Sequence, residues 1–340
     1  MVKRLRPAGW TRLFARSLKA ITRSAARSGA RALKRAAPPK PAKPGAAVGT
    51  GTWLTGIAAG ATGARRFRLY RPPGASAGTR LPLMVMLHGC GQDANAFALS
   101  TRMNSVAARE CFWVLYPEQD RLANAQGCWN WFDTRSGRAQ GEAALIVGAI
   151  DQVCLRHPVD RERVAVAGLS AGASMAALLA IRYPERFKAV VMHSGVPPGT
   201  ADSTLSALGA MHGRRGTKPL ATSIATPATV WPPLLVIHGA ADRVVSAHNG
   251  QAAARQWSTA AGAVALAPRR VQRGKRHAMA VTDFKQRGRT AATLVEVEGL
   301  GHAWSGGAVR APFSDALGPD ASRLAWAFVS KQFERVDQAP

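Results

Sequence analysis

One segment in the middle of the chain, residues 164–183, constrains the fold more than any other. Residues 164–167 (VAVA) form a short apolar run typical of a buried β-strand, and residues 171–183 are rich in Ala and Leu, as in a helix. Between them, residues 168–172 have the sequence GLSAG, which matches the pattern G-x-S-x-G. In that pattern a sharp strand-to-helix turn raises the serine hydroxyl above the edge of a sheet. The segment therefore predicts Ser170 as a nucleophile at the end of a strand.

Strand-like and helix-like segments alternate along most of the remaining chain. Near-continuous apolar runs predict strands that are buried on both faces. Their alternation with helices is typical of an α/β fold with a mainly parallel central sheet, in which functional residues lie at the carboxyl ends of the strands. The predicted strands are residues 52–57, 66–70, 81–87, 112–116, 164–167, 189–192, 234–237 and 293–297, and the predicted helices are residues 142–154, 171–183 and 320–333.

An acidic residue at another strand end is the second candidate catalytic group. A serine hydrolase site on such a sheet takes its residues in the chain order Ser, Asp or Glu, and His. Only Asp242 comes directly after a predicted buried strand and a glycine turn, in the sequence HGAAD at residues 238–242. We therefore predict Asp242 as the acid. The other acidic residues between the serine and the candidate histidine are Glu185, Asp202, Asp283, Glu296 and Glu298.

Three histidines downstream of the predicted acid compete for the role of general base. His302 follows the predicted strand 293–297 and a Gly-Leu-Gly turn, which would place its imidazole over the sheet edge. His248 lies directly after the aspartate loop, and His277 adjoins a run of basic residues that we expect to be solvated. We therefore predict that His302 takes the proton from Ser170 and later returns it to the leaving alcohol.

Two backbone N–H groups form the predicted oxyanion hole, because a developing oxyanion is stabilised by preorganised donors. One donor is expected from Ala171, which follows the nucleophile at the start of a helix. The other is expected from the loop after the strand 81–87, where we predict Cys90 and, as the alternative, Gly91. We expect the neighbouring His88 to shape this loop rather than to react.

Five short motifs follow one another along the chain: HGCGQ at 88–92, YPEQ at 116–119, GCWNWF at 127–132, AGLSAG at 167–172 and GHAWSGG at 301–307. Together they resemble the motifs of the poly(3-hydroxybutyrate) depolymerase family of esterases, which is related to feruloyl and acetylxylan esterases. The similarity extends from about residue 81 to residue 333. Several motifs in the right order are more specific than the serine motif alone.

The resemblance implies an α/β-hydrolase fold and a serine esterase that acts through an acyl-enzyme. We expect no cofactor and no metal, and the sequence has no CxxC, HExxH or GxxxxGK(S/T) motif. The resemblance assigns the nucleophile, acid and base to Ser170, Asp242 and His302, the residues reached above. It also implies a disulfide between Cys90 and Cys128, as in exported relatives, which would pin the oxyanion loop to the aromatic loop. In a reducing compartment the two cysteines would stay as thiols.

The aromatic residues beside the predicted catalytic loops are candidates for substrate binding. Trp129, Trp131 and Trp304 flank these loops, and pockets are mostly apolar and aromatic. We expect Trp304 and one of the other two to form an acyl-binding wall, with core packing as the alternative. The segment 197–232, rich in Gly, Pro and Thr, is either a lid or a surface insertion.

The motifs leave the substrate open. The first expectation is hydrolysis of poly(3-hydroxybutyrate) or its oligomers. The alternative is a feruloyl or acetylxylan esterase or a general short-chain carboxylesterase. The non-enzymatic alternative is a protein that binds granules or polyanions and whose catalytic body is secondary.

Positive charge is concentrated at the N-terminus. The chain has 46 Lys and Arg against 19 Asp and Glu, and residues 1–45 contain 13 of the basic residues and none of the acidic ones. Residues 5–35 have the spacing of a basic amphipathic helix, and residues 38–45 form a proline-rich linker. We therefore predict a basic arm at residues 1–45 and an α/β-hydrolase catalytic domain at residues 46–340.

Several roles are compatible with such an arm. It could be a solvated tail, bind a storage granule or an anionic membrane, serve in targeting, or attract polyanions. The sequence has no specific nucleic-acid motif and no apolar run of the roughly 18–20 residues that a membrane span needs. Because no apolar signal-peptide core is evident, we expect a cytoplasmic or granule-associated protein, with an extracellular location as the alternative.

Overall fold

In the computed structural model of the protein, residues 51–76, 78–220 and 231–337 are described. The predicted basic arm at residues 1–45 lies outside the described residues, as does part of the segment 197–232. The boundary between the arm and the catalytic domain therefore stays a prediction.

A large β-sheet forms the centre of the described structure. In chain order its strands are β1 (Thr52–Gly60), β2 (Gly63–Arg71), β3 (Leu81–Leu87), β4 (Trp113–Pro117), β5 (Val159–Leu169), β6 (Ala189–His193), β7 (Leu234–Gly239), β8 (Val264–Ala265), β9 (Arg269–Val271), β10 (Met279–Gln286) and β11 (Arg289–Val297). Side by side they have the order β1-β2-β4-β3-β5-β6-β7-β11-β10-β8, and β9 pairs with β10. Two short strands, β12 (Trp304–Ser305) and β13 (Ser314–Asp315), pair separately.

Six neighbouring strands in the middle of the sheet, β4, β3, β5, β6, β7 and β11, are parallel. Antiparallel strands, β1, β2 and β10 among them, extend the sheet at both edges. Every residue of β4, β6 and β7 is buried. This burial explains why these strands are nearly continuous apolar runs in the sequence. The predicted α/β fold with a mainly parallel sheet is confirmed.

Helices connect the strands and flank the sheet. They are α1 (Ala94–Thr101), α2 (Met103–Glu110), α3 (Arg138–Arg156), α4 (Ala171–Arg182), α5 (Thr204–Met211), α6 (His248–Ala260) and α7 (Ala321–Asp337). The helices α3, α4 and α7 correspond to the three predicted ones. The others were missed because α1, α2 and α5 are only eight residues long and α6 buries mainly small and polar side chains. Among the described residues, no helix is long and apolar enough to cross a membrane.

The turn between β5 and α4 depends on close backbone contacts that only glycine permits. A Cβ atom on Gly168 would lie 2.3 Å from the carbonyl carbon of Gly172, and a Cβ on Gly172 would lie 2.1 Å from the Leu87 carbonyl oxygen. Such contacts are far inside van der Waals distance. The two glycines therefore let α4 begin directly above the ends of β5 and β3, which is where Ser170 lies.

Candidate active site

Ser170 stands at the tip of the turn between β5 and α4. Its backbone has φ 56° and ψ −118°, a conformation that non-glycine residues rarely adopt and that is characteristic of functional sites. Its N–H donates to the His193 carbonyl, with N and O 2.9 Å apart, and its carbonyl accepts from the Ser174 N–H at 3.1 Å. The strained turn is thus held by backbone bonds on both sides.

Asp242 and His302 come together from two different strand ends. His302 Nδ1 lies 2.8 Å from Asp242 Oδ2, and both side chains are buried. A Cβ on Gly239 would lie 2.3 Å from the Leu300 carbonyl oxygen, so the turn after β7 packs directly against the loop after β11. Because the carboxylate accepts from Nδ1, the imidazole keeps Nε2 free to accept a proton.

The Asp242 carboxylate is stabilised in its charged form. Its Oδ1 accepts from the N–H groups of Val244 and Val245, each at 2.9 Å. Burial acts to raise the pKa of Asp242, but the charge and hydrogen bond of His302, with smaller contributions from His238 and the Val245 N–H, lower it to about 2. The acid is therefore ionised over the whole physiological pH range.

Two buried histidines that the sequence analysis did not single out support this pair. His193, the last residue of β6, accepts from the Ser305 N–H with Nε2 at 3.1 Å and stacks on Trp304 at a centroid distance of 5.0 Å. Its backbone carbonyl is the acceptor for Ser170. His193 thus ties the serine turn to the loop that carries His302. Burial is the main cause that lowers the pKa of His193, to about 3, and the nearby His238 and His302 lower it as well.

His238 holds the acid loop from the other side. Its Nε2 donates to the Val245 carbonyl at 3.0 Å and lies 3.6 Å from Asp242 Oδ2. Burial lowers its pKa, so it is a neutral hydrogen-bond donor. His193 is the last residue of β6 and His238 the last but one of β7. A His that directly follows an apolar run is the signal that would have found both.

His88 orients the oxyanion loop, which follows β3. Its Nε2 accepts from the Gln119 N–H at 3.1 Å, so Nδ1 carries the proton and donates to the Gly89 carbonyl at 2.9 Å. Burial lowers the pKa of His88 to about 4, which keeps the ring neutral. Since the peptide group is planar and trans, a fixed Gly89 carbonyl directs the Cys90 N–H the opposite way.

The two candidate donors in this loop differ in their hydrogen bonds. The Gly91 N–H donates to the Gln126 carbonyl at 3.0 Å and is therefore occupied. Among the described residues, neither the Cys90 N–H nor the Ala171 N–H has an acceptor. Cys90 and Ala171 therefore remain the candidate pair for the oxyanion hole, and the alternative donor Gly91 drops out.

A disulfide and a buried carboxylate fix the neighbouring aromatic loop. Cys90 and Cys128 are joined by a disulfide, and the Trp129 indole N–H donates to the His88 carbonyl at 3.1 Å. Glu142 of α3 accepts from the Asn130 backbone N–H at 2.9 Å and from its side-chain amide at 2.6 Å. The loop is therefore anchored to both the oxyanion loop and a helix.

The cavity beside Ser170 is small and apolar. Its volume is about 40 Å³. Helix α5, from the segment 197–232, contributes Ala207 and Met211 to its wall. This helix is tied down, because the Ser246 N–H donates to the Met211 carbonyl at 2.8 Å. The described part of that segment is therefore a wall of the candidate site.

Comparison with known proteins assigns the family. The family described as "Esterase PHB depolymerase" matches residues 65–279, which is more than half of the chain. The chain belongs to the PHB depolymerase family of esterases. The resemblance inferred from the motifs is confirmed, and with it the class of carboxylic ester hydrolases.

The relatives that this chain matches are named after different substrates. A poly(3-hydroxyalkanoate) depolymerase C from Paucimonas lemoignei is 39% identical over 131 residues, which are 38% of this chain and 31% of that protein. A feruloyl esterase B from Neurospora crassa is 29% identical over 214 residues, which are 57% of this chain and 70% of that protein. The chain thus matches less than a third of the depolymerase and more than two thirds of the feruloyl esterase.

A solved structure shows the same fold. The acetyl xylan esterase from Aspergillus awamori superposes with a TM-score of 0.61 at 20% identity, over 74% of this chain and 94% of that one. The esterase from Pyrobaculum calidifontis gives a TM-score of 0.50 at 19% identity, over 96% of this chain and 99% of that one. Together with the sheet order, these structures confirm the α/β-hydrolase fold.

The expected position of Trp304 in this PHB depolymerase family member needs correction. Trp304 is fully buried, its ring packs edge-on against Phe97 and stacks on His193, and its indole N–H donates to Ser322. It does not line the cavity at Ser170, whereas Trp129 and Trp131 do. The reason is that Trp304 belongs to β12, both residues of which are buried, so its ring packs in the core.

In the described part of this esterase, no group of three or more His, Cys, Asp or Glu side chains is arranged to hold a metal ion. Of the buried histidines, His88, His193 and His238 bond to backbone groups. His302 bonds to the Asp242 carboxylate, and His238 Nδ1 has no partner in the described structure.

Proposed function

We propose that this chain is a serine esterase in which Ser170 is the nucleophile, His302 the general base and Asp242 the acid that orients it. The observation that carries the proposal is the 2.8 Å bond between His302 Nδ1 and the ionised Asp242, in a loop that His193 links to the strained serine turn. An ionised acid holds the base in the tautomer that can remove the serine proton.

The proposed reaction follows from these groups. His302 Nε2 removes the Ser170 Oγ proton as Oγ attacks the ester carbonyl, and a tetrahedral intermediate forms. The N–H groups of Cys90 and Ala171 bind its oxyanion. His302 then protonates the leaving alcohol, and an acyl-enzyme remains. Water, activated by the same base, hydrolyses it and restores the free serine.

No hydrogen bond joins Ser170 Oγ to another group in the described part of the chain. In unliganded enzymes the bond between nucleophile and base is often long and tightens only when substrate binds. The proposal therefore rests on the acid–base pair and the serine turn, and we expect the serine–histidine bond to form in the substrate complex.

For the substrate, we propose a short aliphatic acyl group, such as acetyl or 3-hydroxybutyryl, in preference to a feruloyl group. A cavity of about 40 Å³ holds only a few water-sized positions, since one water needs about 10–15 Å³ of such space. The small volume therefore favours a short acyl group over an aromatic one. Esters of poly(3-hydroxybutyrate) oligomers are the proposed natural class, supported by the match to a poly(3-hydroxyalkanoate) depolymerase.

The test compares purified protein with its Ser170→Ala variant on p-nitrophenyl acetate and butyrate, 3-hydroxybutyrate oligomers, amorphous polymer and methyl ferulate. We expect turnover of the short and oligomeric esters, and its loss in the variant by at least about 10⁴-fold. A faster reaction with methyl ferulate would overturn the substrate class. Equal turnover by Ser170→Ala would overturn the catalytic assignment.

A second proposed function concerns the basic arm. Thirteen Lys and Arg without an acidic residue in residues 1–45 favour adsorption to an anionic surface. Co-sedimentation of the full chain and of residues 46–340 with amorphous polymer granules and with anionic vesicles tests this. Loss of binding in the shorter chain, with ester turnover retained, is expected. Equal binding by both would show that the arm is not the contact.

A further inference from the structure

A second cavity lies apart from the candidate active site. It has a volume of about 410 Å³, in the range of small-molecule sites, and shares no lining residue with the cavity at Ser170. Three separate parts of the chain form it: Arg102 between α1 and α2, the turn that joins β9 and β10, and the first turns of α7. Nothing in the proposed esterase mechanism uses it.

The charged groups around this cavity are strongly unbalanced. Four arginines line it, Arg102, Arg273, Arg276 and Arg323, against the single carboxylate of Asp320. That carboxylate is already engaged, because it accepts from the Arg323 N–H at 3.0 Å and lies 3.8 Å from the Arg323 guanidinium. Among the described residues, the side chains of Arg102 and Arg273 have no acidic partner.

Elsewhere on the same hairpin, arginines are neutralised. Arg269 pairs with Asp283, and Arg270 makes two hydrogen bonds to Glu298. The two arginines of β9, which do not line the cavity, are thus neutralised, whereas Arg273 in the cavity lining has no such partner in the described structure. Clustered guanidinium groups repel one another, and an anion removes that repulsion while accepting paired N–H bonds from their planar forks.

The backbone around the cavity is held in place. Arg276 donates to the Gly318 carbonyl at 2.5 Å, and the His277 N–H donates to the Leu317 carbonyl at 2.8 Å. His277 Nε2 lies 3.6 Å from Asp315. These contacts tie the β9–β10 turn to the loop before α7, so Arg273, Arg276 and Arg323 are presented from two segments that are fixed to each other.

The floor of the cavity is apolar. Met279 is buried, and Val271 and Leu324 are half-buried beside it. An inorganic anion would leave this surface in contact with water. An apolar chain attached to an anionic head would cover it and gain the free energy of apolar burial.

We propose that this cavity binds an anionic amphiphile, that is, a carboxylate or phosphate head with a short apolar chain. The arginines take the head, and Met279, Val271 and Leu324 take the chain. The site is independent of the ester-cleaving site and of the proposed function.

The experiment uses the full chain carrying Ser170→Ala, so that no probe is turned over. Isothermal titration calorimetry is performed with octyl phosphate, octanoate, inorganic phosphate and octanol, at low and at physiological salt. The test variant adds Arg273→Ser and Arg323→Ser. The matched control adds Arg287→Ser and Arg289→Ser, which remove the same charge from exposed positions at the β10–β11 turn.

We expect octyl phosphate or octanoate to bind saturably, at least tenfold more weakly in the test variant and within twofold of the parent in the control. Inorganic phosphate and octanol should each bind at least tenfold more weakly than the better amphiphile. Which head group binds more tightly distinguishes a phosphate from a carboxylate ligand. If the double test variant does not fold, Arg273→Ser alone replaces it, because this side chain is exposed and makes no ion pair in the described structure.

Three results would overturn the proposal. Equal weakening in test and control variants would show nonspecific attraction to a basic protein. Inorganic phosphate as tight as octyl phosphate would show that the apolar floor takes no part. Octanol as tight as the charged probes would show that the arginines take no part.

Discussion

Two halves of the candidate active site are held in place by different chemistry. The oxyanion half, residues 88–92 and 128–132, is fixed by a disulfide and by the buried carboxylate of Glu142. The base half, Asp242 and residues 301–305, is fixed by hydrogen bonds to buried neutral histidines. The first half therefore depends on covalent and ionic contacts, and the second on the protonation states of its supports.

This difference predicts which conditions and substitutions should disrupt each half. A reductant or the loss of one carboxylate acts on the oxyanion half. Acid acts on both, because His88 and His193 are kept neutral by burial. The predictions below separate the two halves, from the largest expected effect to the smallest.

Replacement of the acid should have the largest effect and should act on the base half alone. Asp242→Asn removes the negative charge that holds His302 in its reactive tautomer, and kcat should fall by about 10⁴-fold. The measurement is the steady-state rate on p-nitrophenyl butyrate. The control is Asp202→Asn, at a half-buried carboxylate that pairs with Arg135. A loss of less than tenfold would contradict the assignment of the acid.

Acid should destabilise both halves through their neutral histidines. The pKa values of His88 (about 4) and His193 (about 3) lie below the usual 6.5, so the unfolded chain takes up protons first as the pH falls. Their contribution to stability is complete above about pH 6.5 and is lost as the pH approaches the folded values. Between pH 7.5 and 4.5 the unfolding free energy should fall by about 2–3 kcal/mol for each histidine.

Urea unfolding at the two pH values measures this loss. His88→Asn and His193→Asn should each reduce the pH dependence by a comparable amount, one in each half. An unchanged dependence in both variants would show that these rings are not the titrating groups. Asp242, whose pKa is about 2, adds a further loss only below about pH 4, where its carboxylate is protonated more readily in the unfolded chain.

Loss of the Glu142 carboxylate should damage the oxyanion half. Glu142→Ala leaves Arg65, whose side chain is 6% exposed, without its partner at 3.6 Å, and it leaves the amide groups of Asn130 unsatisfied. Breaking a buried ion pair costs about 3–5 kcal/mol. Chemical denaturation should show this loss, and Glu142→Gln, which keeps the volume, should lose less. Equal stability of the parent and both variants would show that Glu142 does not stabilise the oxyanion half.

The disulfide should matter for stability more than for rate. Its cysteines are separated by 38 positions, and Cys90→Ser with Cys128→Ser should lower the unfolding free energy by about 2–4 kcal/mol. Because His88 still fixes the Gly89 carbonyl, kcat should fall only a few-fold. Cys111→Ser, at an exposed free thiol, is the control and should change neither quantity. A rate loss as large as that of Asp242→Asn would show that the bond itself positions the donor.

The smallest effect is expected from loss of the His193 imidazole, which links the serine turn to residues 301–305. His193→Phe keeps an aromatic ring beside Trp304 but leaves the buried Ser305 N–H without an acceptor, at a cost of about 1–3 kcal/mol. His193→Gln, which can accept, should restore part of it. Unfolding curves and kcat of the two variants are the measurement, and identical behaviour would refute the role of this hydrogen bond.

The catalytic candidates could be predicted from the sequence because each follows a buried strand. Parallel strands that are covered on both faces appear as apolar runs, and their carboxyl ends meet at one edge. Ser170, Asp242 and His302 could therefore be named from position alone. The edge strands β8, β9 and β10 could not, since they are short or partly exposed and their polar residues resemble a loop.

Other features were decided only by the tertiary structure. Trp304 has the sequence context of a pocket wall, but its ring is fully buried against Phe97 and His193. The choice between Cys90 and Gly91 depended on a hydrogen bond from Gly91 to residue 126, which no local pattern encodes. The arginine-lined cavity joins segments from residues 102 to 327.

The sequence by itself thus determined the fold class, the family and the order of the catalytic candidates, because these depend on hydrophobic periodicity and short local motifs. Only the tertiary structure decided which N–H groups are free, which tryptophans face the cavity and which charges lack a partner. Those properties depend on contacts between residues far apart in the chain, and the free energy of such contacts is set by packing that a linear pattern does not contain.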